Sequence, residues 1–283
     1  MAFCRRQSRS YVASPLSFWY TTRMLESSHK AVVQESFTRQ ADVYAVTPTV
    51  TDSLRISRLI AAVNPDASAR VLEVACGPGF LALAFAERCR EVLGVDLTDA
   101  PLAIAEKNRR ERGLSNVRFE PGDADRLPFL NSEFDVVLCR FAFHHFEDPA
   151  RVLTEMVRVC RSRGQVAVED LVTSEYRTRG DYQNRFEHLR DSSHTRALAR
   201  TELLSMFTAS GVEIEKLYSG ELVQNLERWL TNSQTPPEQA AEVRAMIERD
   251  GHEDLSGTRP YLENGQWFFR QPTLAVVARK LPI

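Results

Sequence analysis

Glu73 stands four residues before the first glycine of Gly77-Pro78-Gly79, inside the apolar run Val71–Ala75. A carboxylate there repels a phosphate and attracts an ammonium group. The glycines remove side chains where the backbone must turn and where a ligand can approach it. Two further acids follow at strand ends. Asp96 closes Val92–Asp96, 19 residues after Gly77, where a carboxylate suits paired ribose hydroxyls. Asp123 lies in the polar turn Gly122-Asp123-Ala124-Asp125; it can accept from an exocyclic amine while the Ala124 N–H meets a ring nitrogen. His144 and His145 follow an apolar run that begins at Phe134. An imidazole can take a proton from a hydroxyl, a phenol or an acidic carbon, or simply shape its loop by hydrogen bonding. As sequence neighbours, the two rings are expected to diverge. A second pair, His188 and His194, shares a polar segment with Arg190 and Asp191, a candidate patch for an anionic or phenolic acceptor or else a solvated surface.

The spacing Gly77-x-Gly79-x-x-Ala82 also fits the loose dinucleotide pattern. Glu73 argues against a pyrophosphate and for S-adenosylmethionine (SAM), which carries an α-ammonium and a sulfonium. A solvent-facing acid at a strand end is the plainer alternative. A NAD-dependent reductase finds no support, since no Tyr-x-x-x-Lys occurs in the chain.

These residues need a scaffold of alternating strands and helices. Val71–Ala75, Val92–Asp96, Val117–Glu120, Phe134–Cys139 and Gln165–Glu169 read as strands, separated by helical segments that include 49–63, 80–85, 103–112 and 149–160. Alternation of this kind predicts a parallel sheet with right-handed crossovers. Val212–Tyr218 and Trp267–Lys280 add strands. The stretch 171–200 shows no core periodicity, and 221–250 reads as two helices split at Thr235-Pro236-Pro237. Val32–Tyr44 is an amphipathic helix with Phe37, Ala41 and Tyr44 on one face.

The chain has 283 residues, a net charge of −2 and five cysteines without a C-x-x-C spacing. The balance indicates no polyanion-binding face, and the cysteines suggest neither a disulfide frame nor a zinc site. Cys76 reads as a small residue tolerated beside the ligand rather than a catalytic thiol. No apolar run is long enough for a membrane span. Residues 1–30 are expected to form a disordered extension outside the fold. Arg5, Arg6, Arg9 and Arg23 all precede the first acid, Glu26, a composition like a mitochondrial transit peptide, or else the mark of a misassigned start before Met24. The expected location is cytoplasmic, or mitochondrial if residues 1–23 are a transit peptide.

The motifs EVACGPG, VDLT, GDADRLPF and FDVVLCRFAFHHFEDP occur in that order. Together they resemble the class I SAM-dependent methyltransferases, in particular the ubiquinone/menaquinone C-methyltransferase-like family. The segment Phe186–His194 resembles a small-molecule branch of it. The resemblance implies an α/β fold: a Rossmann-like, mostly parallel seven-stranded sheet with helices on both faces, a last strand antiparallel and an α-helical cap. It places one domain over 31–283, with cap segments at about 172–200 and 221–250. It implies SAM bound by Glu73, Ala75, Gly77, Gly79, Asp96, Leu97, Asp123, Ala124, Arg140 and Tyr44, with Val32–Tyr44 as a lid. The resemblance makes the double histidine a loop-shaping pair and the segment 171–200 a roof over the acceptor pocket. On their chemistry, His145 or His144 is the candidate catalytic residue, no metal is needed, and Tyr182, His188 and His194 are candidate contacts for a small-molecule acceptor that is phenolic, quinone-like or polyketide-like. No nucleic-acid partner is expected. A SAM-binding protein of the same fold that does not methylate, a cyclase or a binding module, carries the same motifs.

Overall fold

The computed structural model describes residues 16–282, with side chains from residue 29 onward. In chain order the elements are α1 (Leu16–Tyr44), α2 (Pro48–Thr51), α3 (Ser53–Val63), β1 (Arg70–Val74), α4 (Phe80–Ala86), β2 (Glu91–Asp96), α5 (Asp99–Glu111), β3 (Val117–Pro121), β4 (Phe134–Arg140), α6 (Pro149–Val159), β5 (Cys160–Thr173), α7 (Arg177–Arg190), β6 (Leu198–Ala199), α8 (Arg200–Ala209), β7 (Val212–Asn225), α9 (Leu226–Asn232), α10 (Pro237–Glu253), β8 (Tyr261–Glu263) and β9 (Gln266–Lys280).

The sheet runs β3-β2-β1-β4-β5-β9-β7. Strands β1 to β5 pair in parallel, and β9 lies antiparallel between β5 and β7. The expected seven strands form this path, but the sheet has nine, because β6 pairs with the end of β5 and β8 with the start of β9. At two and three residues, these two are too short to show a strand period.

Alternation along the strands sorts the core to two faces. Leu72, Val74, Leu93, Val95 and Val137 pack with Val152, Leu153 and Met156 of α6 and Leu203 and Phe207 of α8. Val71, Val92, Val136 and Leu138 pack with Ile56 and Leu59 of α3 and Leu81 and Phe85 of α4. Glu73, two residues from Val71, therefore points to the α4 side, where it is buried.

The cap has a core of its own. Phe186 of α7, Trp229 and Leu230 of α9, Val243 and Ile247 of α10 and Phe269 of β9 form one cluster. Strand β7 continues to Asn225, with Glu221–Asn225 paired to Phe268–Pro272. The second cap segment thus opens with strand rather than helix, because the long β9 offers it an edge.

Helix α1 begins at Leu16, well before the expected Val32. His29 and Lys30, read from sequence as part of the extension, are docked on the domain: His29 Nε2 meets the His145 carbonyl at 2.9 Å and Lys30 Nζ donates to Asp123 at 2.8 Å. Residues 1–15, and with them most of the transit-peptide reading, lie outside the described residues.

Candidate functional site

The carboxyl ends of β1, β2 and β4 meet beneath α1 in a single cleft, the position where open α/β sheets bind ligands. Glu73, Ala75, Gly77, Asp96, Leu97, Asp123, Ala124, Arg140, Tyr44 and His145 all line it. The backbone turns sharply there. Ala75 and Phe141, just past the ends of β1 and β4, both have φ of +54°, a left-handed conformation that costs a residue with a β-carbon about 1–3 kcal/mol.

The two glycines of the turn serve different ends. A β-carbon on Gly77 would meet only the Tyr44 ring, at 3.8 Å, so this position faces the open cleft. A β-carbon on Gly79 would stand 2.6 Å from the Phe119 ring and 2.9 Å from Ala105. Gly79 does not line the cleft. It caps α4 with φ of +77° and lets β3 and α5 pack close, which corrects its assignment to the ligand.

Asp96 organises the turn. Its carboxylate accepts from the Gly77 N–H at 2.8 Å and the Thr98 N–H at 2.9 Å. Each carboxylate oxygen retains a second lone pair for a ligand hydroxyl. Glu73 accepts from Ala82 N at 2.7 Å, in the first turn of α4, and burial pushes its carboxyl up to about 8 against the pull of that N–H and of Arg140. Asp123 and Asp125 are bridged by Lys30 Nζ at 2.8 and 2.5 Å. A cleft lined by Glu73, Asp96, Asp123 and Asp125 suits a cationic ligand and disfavours a pyrophosphate. The Cys76 thiol is buried and pushed well up, so it is no nucleophile. Tyr44 is pushed up to about 12 by burial and keeps its phenolic proton.

Arg140 faces the cleft with its guanidinium already engaged. Nε donates to Glu169 at 3.0 Å, Nη1 to the Val50 carbonyl at 3.2 Å and Nη2 to the Thr49 carbonyl at 2.9 Å. It braces α2 against the sheet.

A second cavity opens beside the cleft, under the cap. The two share Phe37, Tyr44, Phe141 and His145. The deeper walls of the second include His144, His194, Glu187, Arg190, Trp229 and Gln271. His144 and His145 do not diverge: a 3-10 turn over Phe143–His145 brings their ring centroids to 4.2 Å, with His194 5.4 Å from His144. Their environments differ. His145 donates through Nδ1 to the Ser193 carbonyl at 2.9 Å; burial, reinforced by the His144 charge, pushes it down to about 3. His144 Nδ1 meets Asp170 at 2.5 Å. Burial opposes its charge, but the Asp170 carboxylate prevails and raises its pKa. His144 Nε2 has no hydrogen-bond partner among the described residues. His194 donates through Nε2 to Asn184 at 2.9 Å and is held neutral by burial and its histidine neighbours.

Of the expected acceptor residues, the cavity takes His194 alone. Tyr182 packs in the cap core and donates to the Met246 carbonyl at 2.9 Å. His188 is exposed on α7 and donates to the His194 carbonyl at 2.8 Å. Neither lines the second cavity. Asp170 and Lys30 were not singled out from the sequence. A second strand-end acid beside Glu169 was a usable signal for the first; the second sat in a stretch with no apolar period. Among the described residues no His, Cys, Asp and Glu cluster could hold a metal ion, and no helix is long and apolar enough to cross a membrane.

Residues 72–168 match a family described as a methyltransferase domain. The uncharacterized methyltransferase YcgJ of Bacillus subtilis is 30% identical over 207 residues, covering 73% of this chain and 82% of that protein. Its crystal structure superposes with a TM-score of 0.76 over 81% of this chain and 98% of that one, at 27% identity. A putative methyltransferase from Bacillus halodurans gives a TM-score of 0.77 at 29% identity, covering 81% of this chain and all 100% of that one. The demethylmenaquinone methyltransferase of Thermus thermophilus is 42% identical over a shorter 101 residues, 35% of this chain and 46% of that protein. The acid-lined cleft suits S-adenosylmethionine, and the chain belongs to the SAM-dependent methyltransferases.

Proposed function

We propose that the chain methylates a small planar acceptor, phenolic, quinone-like or polyketide-like, on oxygen or carbon. The carrying observation is the His144–Asp170 pair, whose imidazole lines a cavity that shares Phe37, Tyr44, Phe141 and His145 with the cofactor cleft. When bound, the cofactor supplies an activated methyl group on a sulfonium, so the protein's share is orientation, desolvation and proton management. Glu73, Asp96 and Asp123 are the residues to hold it by its ammonium, ribose and adenine groups, with Gly77 giving close backbone access.

His144 is the base in this reading. Asp170 accepts at Nδ1, fixes the ring and raises the basicity of the imidazole, and the neutral form presents Nε2 to take the acceptor proton. His145, held near a pKa of about 3, is too weak a base; with Phe37, its ring 5.0 Å away, it walls the passage between the two cavities.

The test is incubation with methyl-labelled SAM and a panel of phenols, hydroxyquinones and cyclic diketones. Label should enter an organic product. His144→Gln should lower the rate by about 10²–10⁴-fold with S-adenosylhomocysteine (SAH) affinity unchanged. Firm SAH binding with no labelled product across the panel and a metabolite extract would favour a cyclase or binding module instead.

A further inference from the structure

The second cavity is lined by two carboxylates that already accept hydrogen bonds, Asp191 and Glu187, and by one arginine that donates almost none; Asp170 lies behind His144, outside the lining. Asp170 accepts from His144 and from the Phe143 and Leu171 backbone N–H groups. Asp191 accepts from Ser36 Oγ at 2.9 Å, Gln40 Nε2 at 3.2 Å, and the N–H and hydroxyl of Ser193 at 3.0 and 2.6 Å. Glu187 accepts from Gln271 Nε2, whose own oxygen accepts from Gln224 at 2.7 Å.

Arg190 differs. It is the last residue of α7, and its guanidinium lies over the Trp229 ring, 4.8 Å from the centroid. Nε makes only a long 3.4 Å contact to the Trp229 carbonyl. Nη1 and Nη2 make no hydrogen bond to the described residues, although the guanidinium charge acts on the neighbouring Glu187 and Asp191 carboxylates and favours their ionised forms. Trp229 is itself fixed, 4% exposed and edge-on to Phe269 at 4.8 Å. The outcome is a planar fork, stacked on a rigid indole and presented to a cavity that His144 also faces. Arg140, with every nitrogen engaged, makes the contrast.

We propose that Arg190 is a specificity-determining residue that receives a carboxylate of the acceptor, making the preferred acceptor a conjugated or aromatic acid. A guanidinium fork binds a carboxylate through two parallel hydrogen bonds, and stacking on the Trp229 indole fixes the plane of the fork. The word acceptor rests on the methyl-transfer reading; the carboxylate site does not.

Calorimetry on the SAH-saturated full chain tests this with 4-hydroxybenzoate and its neutral methyl ester. The acid should bind about tenfold tighter than the ester or better. Arg190→Gln should reduce the acid to the ester's level, leave the ester unchanged and leave SAH affinity within about twofold. Arg190→Lys, which keeps the charge but not the fork, should retain part of the preference. Equal binding of acid and ester to the wild-type protein, no binding of the acid, or an Arg190→Gln variant that still prefers the acid overturns the proposal. Acid binding at Arg190 without label transfer from SAM sinks the methyl-transfer reading alone. Methylation of neutral acceptors with no acid preference sinks the carboxylate site alone.

Discussion

Glu73 gives the sharpest quantitative test of the cofactor cleft. It sits 3% exposed on the α4 side of β1, and burial, opposed by the Ala82 N–H and by Arg140, raises it from an ordinary 4.5 to about 8. Between those values the folded chain keeps a proton that the unfolded chain has lost. The contribution of Glu73 to stability is therefore full below 4.5 and declines as pH rises toward 8. From pH 5.5 to 7.5 the decline is about 2–3 kcal/mol, at about 1.4 kcal/mol per pH unit. Glu73→Gln keeps an oxygen for the Ala82 N–H and removes the titration. Urea unfolding of both proteins without cofactor, at the two pH values, should show the glutamine variant gaining that amount relative to wild type. Cofactor binding should work in the opposite sense. An ammonium group beside Glu73 favours its ionised form, so SAH binding at pH 7 should release a proton, seen as a buffer-dependent heat, and Glu73→Gln should bind more weakly by about 1.5–3 kcal/mol. A stability difference that does not change with pH, together with buffer-independent heats, would refute a protonated Glu73 and its role as the ammonium partner.

Two further outcomes are expected. Gly79→Ala should cost stability in proportion to the clash with Phe119, and Phe119→Leu should relieve part of it; a double-mutant cycle in urea checks this, and full additivity would place the strain elsewhere. Lys30→Ala breaks the half-exposed bridges to Asp123 and Asp125, so its effect on global stability should stay within about 1 kcal/mol while SAH dissociation measured by stopped flow accelerates several-fold. An unchanged dissociation rate would show that this contact does not retain the cofactor.

The cofactor half of the site was legible because its parts are local. A buried strand, a glycine turn and an acid at the next strand end each leave a mark within about ten residues, and the parallel fold brings those marks together without further instruction. The acceptor half depends on long-range pairing. His144 and Asp170 are 26 residues apart and meet because β4 and β5 run in register, Arg140 beside Glu169. Tyr182 was misread for a related reason: Tyr182, Phe186 and Leu189 do have helical spacing, but their charged neighbours hid a small core that forms only with α9, α10 and β9. Helix α1 was cut short because its upstream part, with Arg, Ser and Thr and no acid before Glu26, reads as an extension outside the fold.

One helix touches nearly every part of this site. Successive turns of α1 place Lys30 against Asp123, Gln34 against the Leu97 carbonyl at 2.9 Å, Ser36 and Gln40 against Asp191, and Phe37 against His145. The cofactor cleft and the second cavity thus share one wall. Lifting this one helix would loosen contacts at both cavities in the same event. If the proposed methyl transfer runs here, release of that helix would couple the departure of the two products, and stopped-flow release of S-adenosylhomocysteine with and without acceptor would show it.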